Sequence, residues 1–351
     1  MMETISCRLE GVNMATIEDV ARLAGLSRTT VSRVINNHPY VSGEKKEAVM
    51  KAMNSLGYVP NSSARSLRNQ KTGMIAVLIP RIMNPFFSQL IDSLEMAASE
   101  QGYQLIVCQT RYSKEKELSY LNLLKTKQVD GVILASIQNK WDIIKHFLQY
   151  GPIILCNEDD ENATVPTVFA DQVYGAYIAT KHLIELGHKK IAYCSRSSNS
   201  KVSRKRETGF LKAMFEHQLQ CEENLIFRDT ATIEDGKEIL HQIKKMKVRP
   251  TAIFTGSDEV AAGVISEAIR YGWDIPSDLA VVGFDNQSIA NLLHPTITTV
   301  HQPIDELASL ALKLLVEKLH TKSYQTRQEY QLDLHLLIRE STVTKQKTTK
   351  I

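Results

Sequence analysis

Residues Ala15 to Ser42 read ATIEDVARLAGLSRTTVSRVINNHPYVS. Within this stretch Ala21, Gly25 and Val31 fall at the spacing of a helix-turn-helix. Ala21 is small where a second helix must cross close to the first. Gly25 sits in the turn, where a positive φ costs glycine nothing. Val31 is an apolar plug on the second helix. Ser27 is placed to cap that helix, its hydroxyl taking an otherwise orphaned N–H. The helix then turns Val31 and Val34 inward and Arg28, Thr29 and Arg33 outward, a face that suits the major groove of DNA.

Working outward, a third helix is expected from just after Ser42 to near Leu56. Val49, Ala52, Met53 and Leu56 recur at helical spacing, and Gly57 is placed to end the helix. Pro60 prevents its continuation. Asn61 to Arg68 then form a basic run of one or two helical turns, too short to be stable alone in water, so that a partner or DNA must order it. Between Met14 and Gly73 nine Lys/Arg face four acids, a net +5 in a chain whose total is +3. A basic head on a nearly neutral body points to a polyanion as partner of the head alone.

From Met74 the pattern changes to short apolar runs alternating with amphipathic segments. The runs are MIAVLIP (74–80), QLIVCQT (104–110), VDGVILA (129–135) and GPIILCN (151–157), with helices expected near Pro85–Gln101, Lys114–Lys127 and Trp141–Gln149. A second series begins near Val168 and continues through KIAYCS (190–195), LIFRD (225–229), AIFTGS (252–257) and LAVVGFD (279–285). Its helices are expected at Tyr174–Leu186, Ser203–Gln218, Ile233–Met246 and Asp258–Tyr271. Buried strands separated by helices imply parallel sheets with right-handed crossovers. Two such series imply two doubly wound subdomains with a cleft between them, and ligands bind such sheets beyond the carboxyl ends of the strands.

The five cysteines are scattered, without CxxC. Cys108, Cys156 and Cys194 lie in strand-like runs and read as core thiols, and no disulfide framework is implied. No apolar run is long enough to span a membrane and the first 13 residues lack a signal-peptide centre, so a cytoplasmic protein is expected. Those residues read as a structureless leader, with Met14-Ala-Thr-Ile as an alternative start, and residues 344–351 read as a disordered tail. HExxH, P-loop and G-x-S-x-G motifs are absent, and the histidines form no ligand-spaced pair. The expected protein is therefore no enzyme and needs no metal or cofactor.

The chain resembles the lactose-repressor/galactose-repressor (LacI/GalR) family of bacterial transcription regulators. The resemblance runs from Thr16 to Thr342. It is carried by TIEDVARLAGLSRTTVSRVIN, LGYVPNSSARSL, IAVLIPRIMNPFF, VDGVIL, FADQVYGAY, HLIELGHKKIAY, RETGF and VVGFDN. It implies an all-α helix-turn-helix DNA-binding domain (14–59), a hinge helix and linker (60–72), and an α/β periplasmic-binding-protein-like body (73–343). The body would divide into two doubly wound parallel-sheet subdomains, 73–170 with 304–330 and 171–303 with 331–343.

The resemblance also carries roles onto individual positions. Arg28, Thr29 and Arg33 match base-reading positions, and Arg33 suits bidentate contact with guanine. Thr16, Ser27, Thr30, Ser32 and Asn36 match phosphate-contacting positions, which set register rather than sequence. Asn61, Ala64, Arg65 and Leu67 match the hinge helix, Leu67 being the family's minor-groove wedge. In the cleft, Phe86 and Phe87 match effector-packing positions. Arg206 matches the arginine that binds hydroxyls or a carboxylate, Asp285 an acceptor, and Gln302 a crossover residue bordering the cleft. Asp171 matches less closely and reads equally as a helix N-cap.

Two departures bear on the ligand. Ser257-Asp258 stands where the family often has Asn-Asp, and residues 230–232 lack the family's stacking aromatic. Both weaken the case for a simple hexose and leave room for another sugar, a sugar phosphate or a protein corepressor. NHPYVS and the WDII…YGPIILC region also resemble the Gram-positive catabolite-control branch, whose corepressor is a serine-phosphorylated phosphocarrier protein. The expected function is thus a homodimeric, operator-binding regulator of carbohydrate genes gated by an effector in the cleft. A solute-binding protein shares the body's architecture, but the DNA-binding head argues against it.

Overall fold

The computed structural model describes residues 15–36, 38–59, 71–196, 200–321 and 327–343. Contacts divide the chain into two units, 1–71 and 72–351.

In the first unit α1 (Ile17–Ala24), α2 (Arg28–Ile35) and α3 (Gly43–Leu56) pack around Val20, Ala21, Val31, Val34, Val49 and Ala52. Each boundary has a local cause. Thr16 caps α1 by accepting from the Asp19 N–H, while the Asp19 carboxylate accepts from the Thr16 N–H at 2.9 Å, a reciprocal capping box. Gly25 ends α1 at φ 64°. Ser27 then caps α2 through the Thr30 N–H, 3.1 Å away. Gly57 closes α3 at φ 59°. Thr16→Ala should remove the hydroxyl's half of the box, leaving the backbone N–H bond to Asp19, and lower the stability of this unit by about 1 kcal/mol, with Thr16→Ser restoring most of it. Denaturant unfolding followed by circular dichroism measures the difference, and equal stability of all three proteins would contradict it.

The second unit holds two six-stranded sheets. The first is built from β1 (Met74–Ile79), α4 (Pro85–Glu100), β2 (Gln104–Gln109), α5 (Lys114–Lys125), β3 (Gly131–Leu134), α6 (Trp141–Ile144), β4 (Ile153–Cys156) and β5 (Pro166–Ala170). The second is built from α7 (Gln172–Glu185), β6 (Ile191–Cys194), α8 (Lys201–Glu216), β7 (Ile226–Phe227), α9 (Ile233–Lys245), β8 (Ala252–Phe254), α10 (Asp258–Arg270), β9 (Ala280–Asp285), α11 (Ser288–Leu292) and β10 (Thr298–His301). The chain then returns through α12 (Ile304–Thr321) and β11 (Gln328–Leu332) to the first sheet, and ends with β12 (His335–Leu337) in the second.

The strand orders are β11-β5-β4-β3-β1-β2 and β12-β10-β9-β8-β6-β7. All pairings are parallel except β10 with β12. Each sheet is thus doubly wound, and its order reverses between β1 and β3, or between β6 and β8. That switch point is where such sheets bind ligands. Strands β3, β4 and β6 are buried at every position, which accounts for continuous apolar runs rather than alternation. Strand β5 belongs to the first sheet, although the sequence pattern alone suggested that a second series opened near Val168. The segment expected as one helix at Trp141–Gln149 is the short α6 followed by a 3₁₀ stretch over Lys145–Gln149. Cys108, Cys156 and Cys194 are buried free thiols.

Candidate functional sites

On the first unit, the N-terminal turn of α2 presents Arg28 and Thr29 to solvent, and Arg33 follows on the same exposed side. Val31 and Val34 are buried beneath them, at 0% and 5% exposure. Arg28 lies 3.1 Å from Glu18, an exposed pair of small energetic weight that a competing phosphate or base can displace. Ser27 and Thr30 hydroxyls lie 2.9 Å apart at the start of the helix, and Thr16 stands exposed at the start of α1. Asn36 ends α2, its side-chain amide donating to the Ser32 carbonyl. Asn61, Ala64, Arg65 and Leu67 lie outside the described residues.

On the second unit, a cavity opens where the carboxyl ends of both sheets face each other. The first sheet contributes Pro80 after β1, Ser136 after β3, and Asn157 and Glu158 after β4. The second contributes Ser195 after β6, Gly256 after β8, Asp285 at the end of β9 and Gln302 after β10. Phe86 and Phe87 enter from the first turn of α4, edge to face at 5.1 Å. Asn84 holds that turn, its side-chain oxygen accepting from the Phe86 N–H, and Pro85 fits the first helical position.

Arg206, on α8, organises the second lobe's wall. Its Nε donates to Gln172 at 2.8 Å, Nη1 to the Gly256 carbonyl at 2.8 Å, and Nη2 stands 3.4 Å from Asp285. Its guanidinium lies 3.6 Å from the centroid of the Phe284 ring. Asp285 also accepts from Gln302 at 2.6 Å and from Gln287 at 3.2 Å, and Gln302 in turn accepts from Gln172 at 2.9 Å. Arg206 and Asp285 are 8% and 6% exposed, so the fork and its acceptor are held rigidly in a largely desolvated wall. Asp285 and Asn157 both have left-handed backbones, φ 98° and 71°. For residues other than glycine such conformations store about 1–3 kcal/mol and cluster at functional sites.

Two carboxyls of this region are shifted by burial. Glu158 is pushed up to about 7 by burial, opposed by the Ser136 hydroxyl. Asp258, which accepts from the Thr299 hydroxyl and the Gln287 N–H, is pushed up to about 8, again by burial. Both values lie above those of the unfolded chain, so the stability they contribute is complete below about pH 4 and is lost as pH rises through 7 and 8. The melting temperature of the ligand-free protein is therefore expected to fall between about pH 4 and about pH 8 and to level off above that, and Asp258→Asn should flatten the fall. Identical slopes for both proteins would contradict the assignment.

Of the expected cleft residues, Phe86, Phe87, Arg206, Asp285 and Gln302 meet at this cavity. Asp171 does not line it. Its carboxylate caps α7 by accepting from the Tyr174 N–H at 2.9 Å, and its neighbour Gln172 enters the polar wall instead. Sequence reasoning missed Ser136, Asn157, Glu158, Tyr193, Ser195 and Ser203, all of which line the cavity. A usable signal existed for four of them, since Ser136, Asn157, Glu158 and Ser195 are polar residues directly after an apolar strand run. Among the described residues no His/Cys/Asp/Glu cluster could hold a metal ion, and no helix is long and apolar enough to cross a membrane.

Comparison with known proteins agrees with both halves of the molecule. The model of the lacI family of bacterial regulatory proteins matches residues 16–61, and that of the periplasmic binding protein-like domain matches residues 180–342. The NTD biosynthesis operon regulator NtdR of Bacillus subtilis is 46% identical over 329 residues, covering 94% of this chain and 100% of that protein. This chain belongs to the lacI family of bacterial regulatory proteins. A LacI-family regulator from Lactobacillus casei with bound glucose is 34% identical at a TM-score of 0.70, covering 77% of this chain and 99% of that one. The operator-bound lac repressor dimer shares the fold at a TM-score of 0.83 and 24% identity, covering 94% of this chain and 99% of that one. As a lacI-family member, the chain combines a helix-turn-helix head with a two-sheet binding body.

Proposed function

We propose that this chain is a homodimeric transcriptional repressor that reads a palindromic operator and is controlled by a small polyol effector, a sugar or sugar phosphate, in the cleft of its body. The observation that carries the first half is the capped helix α2, with Arg28, Thr29 and Arg33 exposed over a buried Val31–Val34 seam. Arg33 reads a guanine edge, Ser27, Thr30 and Thr16 hold phosphates, and two-fold symmetry fixes the half-site spacing. Leu67 wedges into the minor groove between half-sites. The second half rests on the Arg206–Asp285–Gln302 wall facing Phe86 and Phe87, a polar rim against an aromatic floor that suits a ring bearing hydroxyls. The glucose bound by the Lactobacillus casei relative supports that ligand class.

Regulation follows from the two lobes. A ligand that touches both changes the lobe angle in proportion to its differential affinity for the two arrangements. That angle is transmitted to the operator through the segment between head and body. Arg33→Ala should weaken operator binding by about 1–3 kcal/mol and relax base preference at one position of each half-site, leaving non-specific binding almost unaltered. A binding logo unchanged from the wild type would refute the assignment.

A further inference from the structure

The loop after β4 carries four acids in succession, Glu158 to Glu161. Asp160 and Asp159 reach across the cleft to α8, where Asp160 meets Lys201 Nζ at 2.8 Å and Asp159 meets Lys205 Nζ at 2.5 Å. Glu158 instead turns into the cavity and is 6% exposed. Its Oε1 accepts the Ser136 hydroxyl at 3.0 Å and the Ile137 N–H also favours the charged carboxylate, while the buried Oε2 has no hydrogen-bond partner among the described residues. Two further buried atoms lining the same cavity lack a partner there, Asn157 Oδ1 and Ser195 Oγ. A buried polar atom left unpaired costs about 1–3 kcal/mol, so three around one cavity point to a ligand that supplies donors.

We propose that Glu158 is the anchor for a primary ammonium group, and that the effector of this chain is an amino-bearing polyol such as an amino sugar. This inference rests on the effector-cleft reading above. The cavity's other carboxylate, Asp285, already has a positive partner in Arg206. The cation whose charge Glu158 feels is Lys201, and Asp160 holds it. Arg196 lines the cavity from the opposite lobe, where Asp235 and Glu259 feel its charge. A neutral hydroxyl would satisfy the hydrogen-bonding capacity of Oε2 but bring no counter-charge to a carboxylate that burial otherwise drives towards its protonated form. An ammonium does both through a charge-assisted bond. The rest of the ligand's hydroxyls then face Asn157, Ser195 and the Arg206–Asp285 wall. Such a ligand adds a third charge pair beside the two that span the lobes, favouring the closed arrangement.

The test is calorimetric titration of the full chain with D-glucose and its 2-, 3- and 6-amino-deoxy analogues. At least one amine is expected to bind about tenfold or more tighter than glucose, and Glu158→Gln should bring the two within about threefold. The wild-type comparison stands on its own should the variant fold poorly. Glucose binding as tightly as every amine overturns the ammonium subsite while leaving the cleft reading intact. Persistence of the amine's advantage in Glu158→Gln, or failure of every amine to bind at millimolar concentration, also overturns it. Amine and glucose binding that both survive Arg206→Ala would place the ligand outside this cleft and remove both readings.

Discussion

Arg206→Ala is expected to abolish the effector response and to destabilise the body by about 3–5 kcal/mol. The side chain is buried and all its contacts are specific: a side-chain amide, a main-chain carbonyl, a carboxylate and the face of Phe284. Removing it leaves Asp285 as a buried charge with only amide donors, Gln302 and Gln287. It also frees Gln172 and the Gly256 carbonyl. Arg206→Lys keeps the charge but loses the planar fork and its stacking on Phe284, so most of the response should still be lost. Operator affinity without effector should change little, because Arg206 sits in the body and touches no base-reading residue. Denaturant unfolding measures the stability loss, and operator titration with and without ligand measures the response. A normal response in the alanine variant would mean that the effector binds elsewhere.

Gly209→Ala is expected to be nearly as damaging, although it removes nothing. A Cβ at that position would lie 2.1 Å from the Val173 carbonyl oxygen and 3.0 Å from the Tyr177 amide nitrogen, both in the backbone of α7. Neither atom can swing aside, so the two helices must separate. Overpacking of this kind costs about 1–3 kcal/mol, and more where backbone is the obstacle. The displaced helix also carries Lys201, Lys205 and Arg206, so ligand affinity should fall together with stability. Gly25→Ala makes a useful contrast. Nothing lies within 4 Å of its added Cβ, and only the positive φ is penalised, by about 1–2 kcal/mol. Wild-type stability and ligand affinity in Gly209→Ala would show that α7 and α8 are free to part.

The head was legible almost residue by residue because its signals are local. A capping hydroxyl, a glycine at positive φ and an i, i+4 apolar seam each act within one turn of chain, so Gly25, Ser27 and Gly57 could be placed without tertiary information, whereas the capping box of Thr16 emerged only in the structure. The alternating body was legible as a class for a similar reason, since buried parallel strands must read as short apolar runs. Its edges were not. Strand β7 has only Ile226 and Phe227 paired, and β11 joins β5 from more than 150 residues away, so no local pattern announces either. The same division applies to the cavity. Arg206 and Asp285 stood out through a family pattern, whereas nothing local sets Glu158 apart from the three acids that follow it. What distinguishes it is that its two neighbours are drawn outward by Lys201 and Lys205 on another lobe, a fact of tertiary structure. Asp171 and Gln172 illustrate the limit at single-residue resolution. The former satisfies a helix end and the latter enters the site, and only the direction of the first helical turn separates them.

The most direct test of the central claim is selection from a randomised palindromic operator pool by the full-length protein at fixed salt, read by fluorescence anisotropy, with and without a panel of sugars, amino sugars and the serine-phosphorylated phosphocarrier protein. The account predicts enrichment of one palindrome whose affinity changes on addition of a single class of small polyol. No enrichment of any palindrome would contradict the reading of α2 as a sequence reader. Enrichment that responds only to the carrier protein would contradict the cleft as the seat of control.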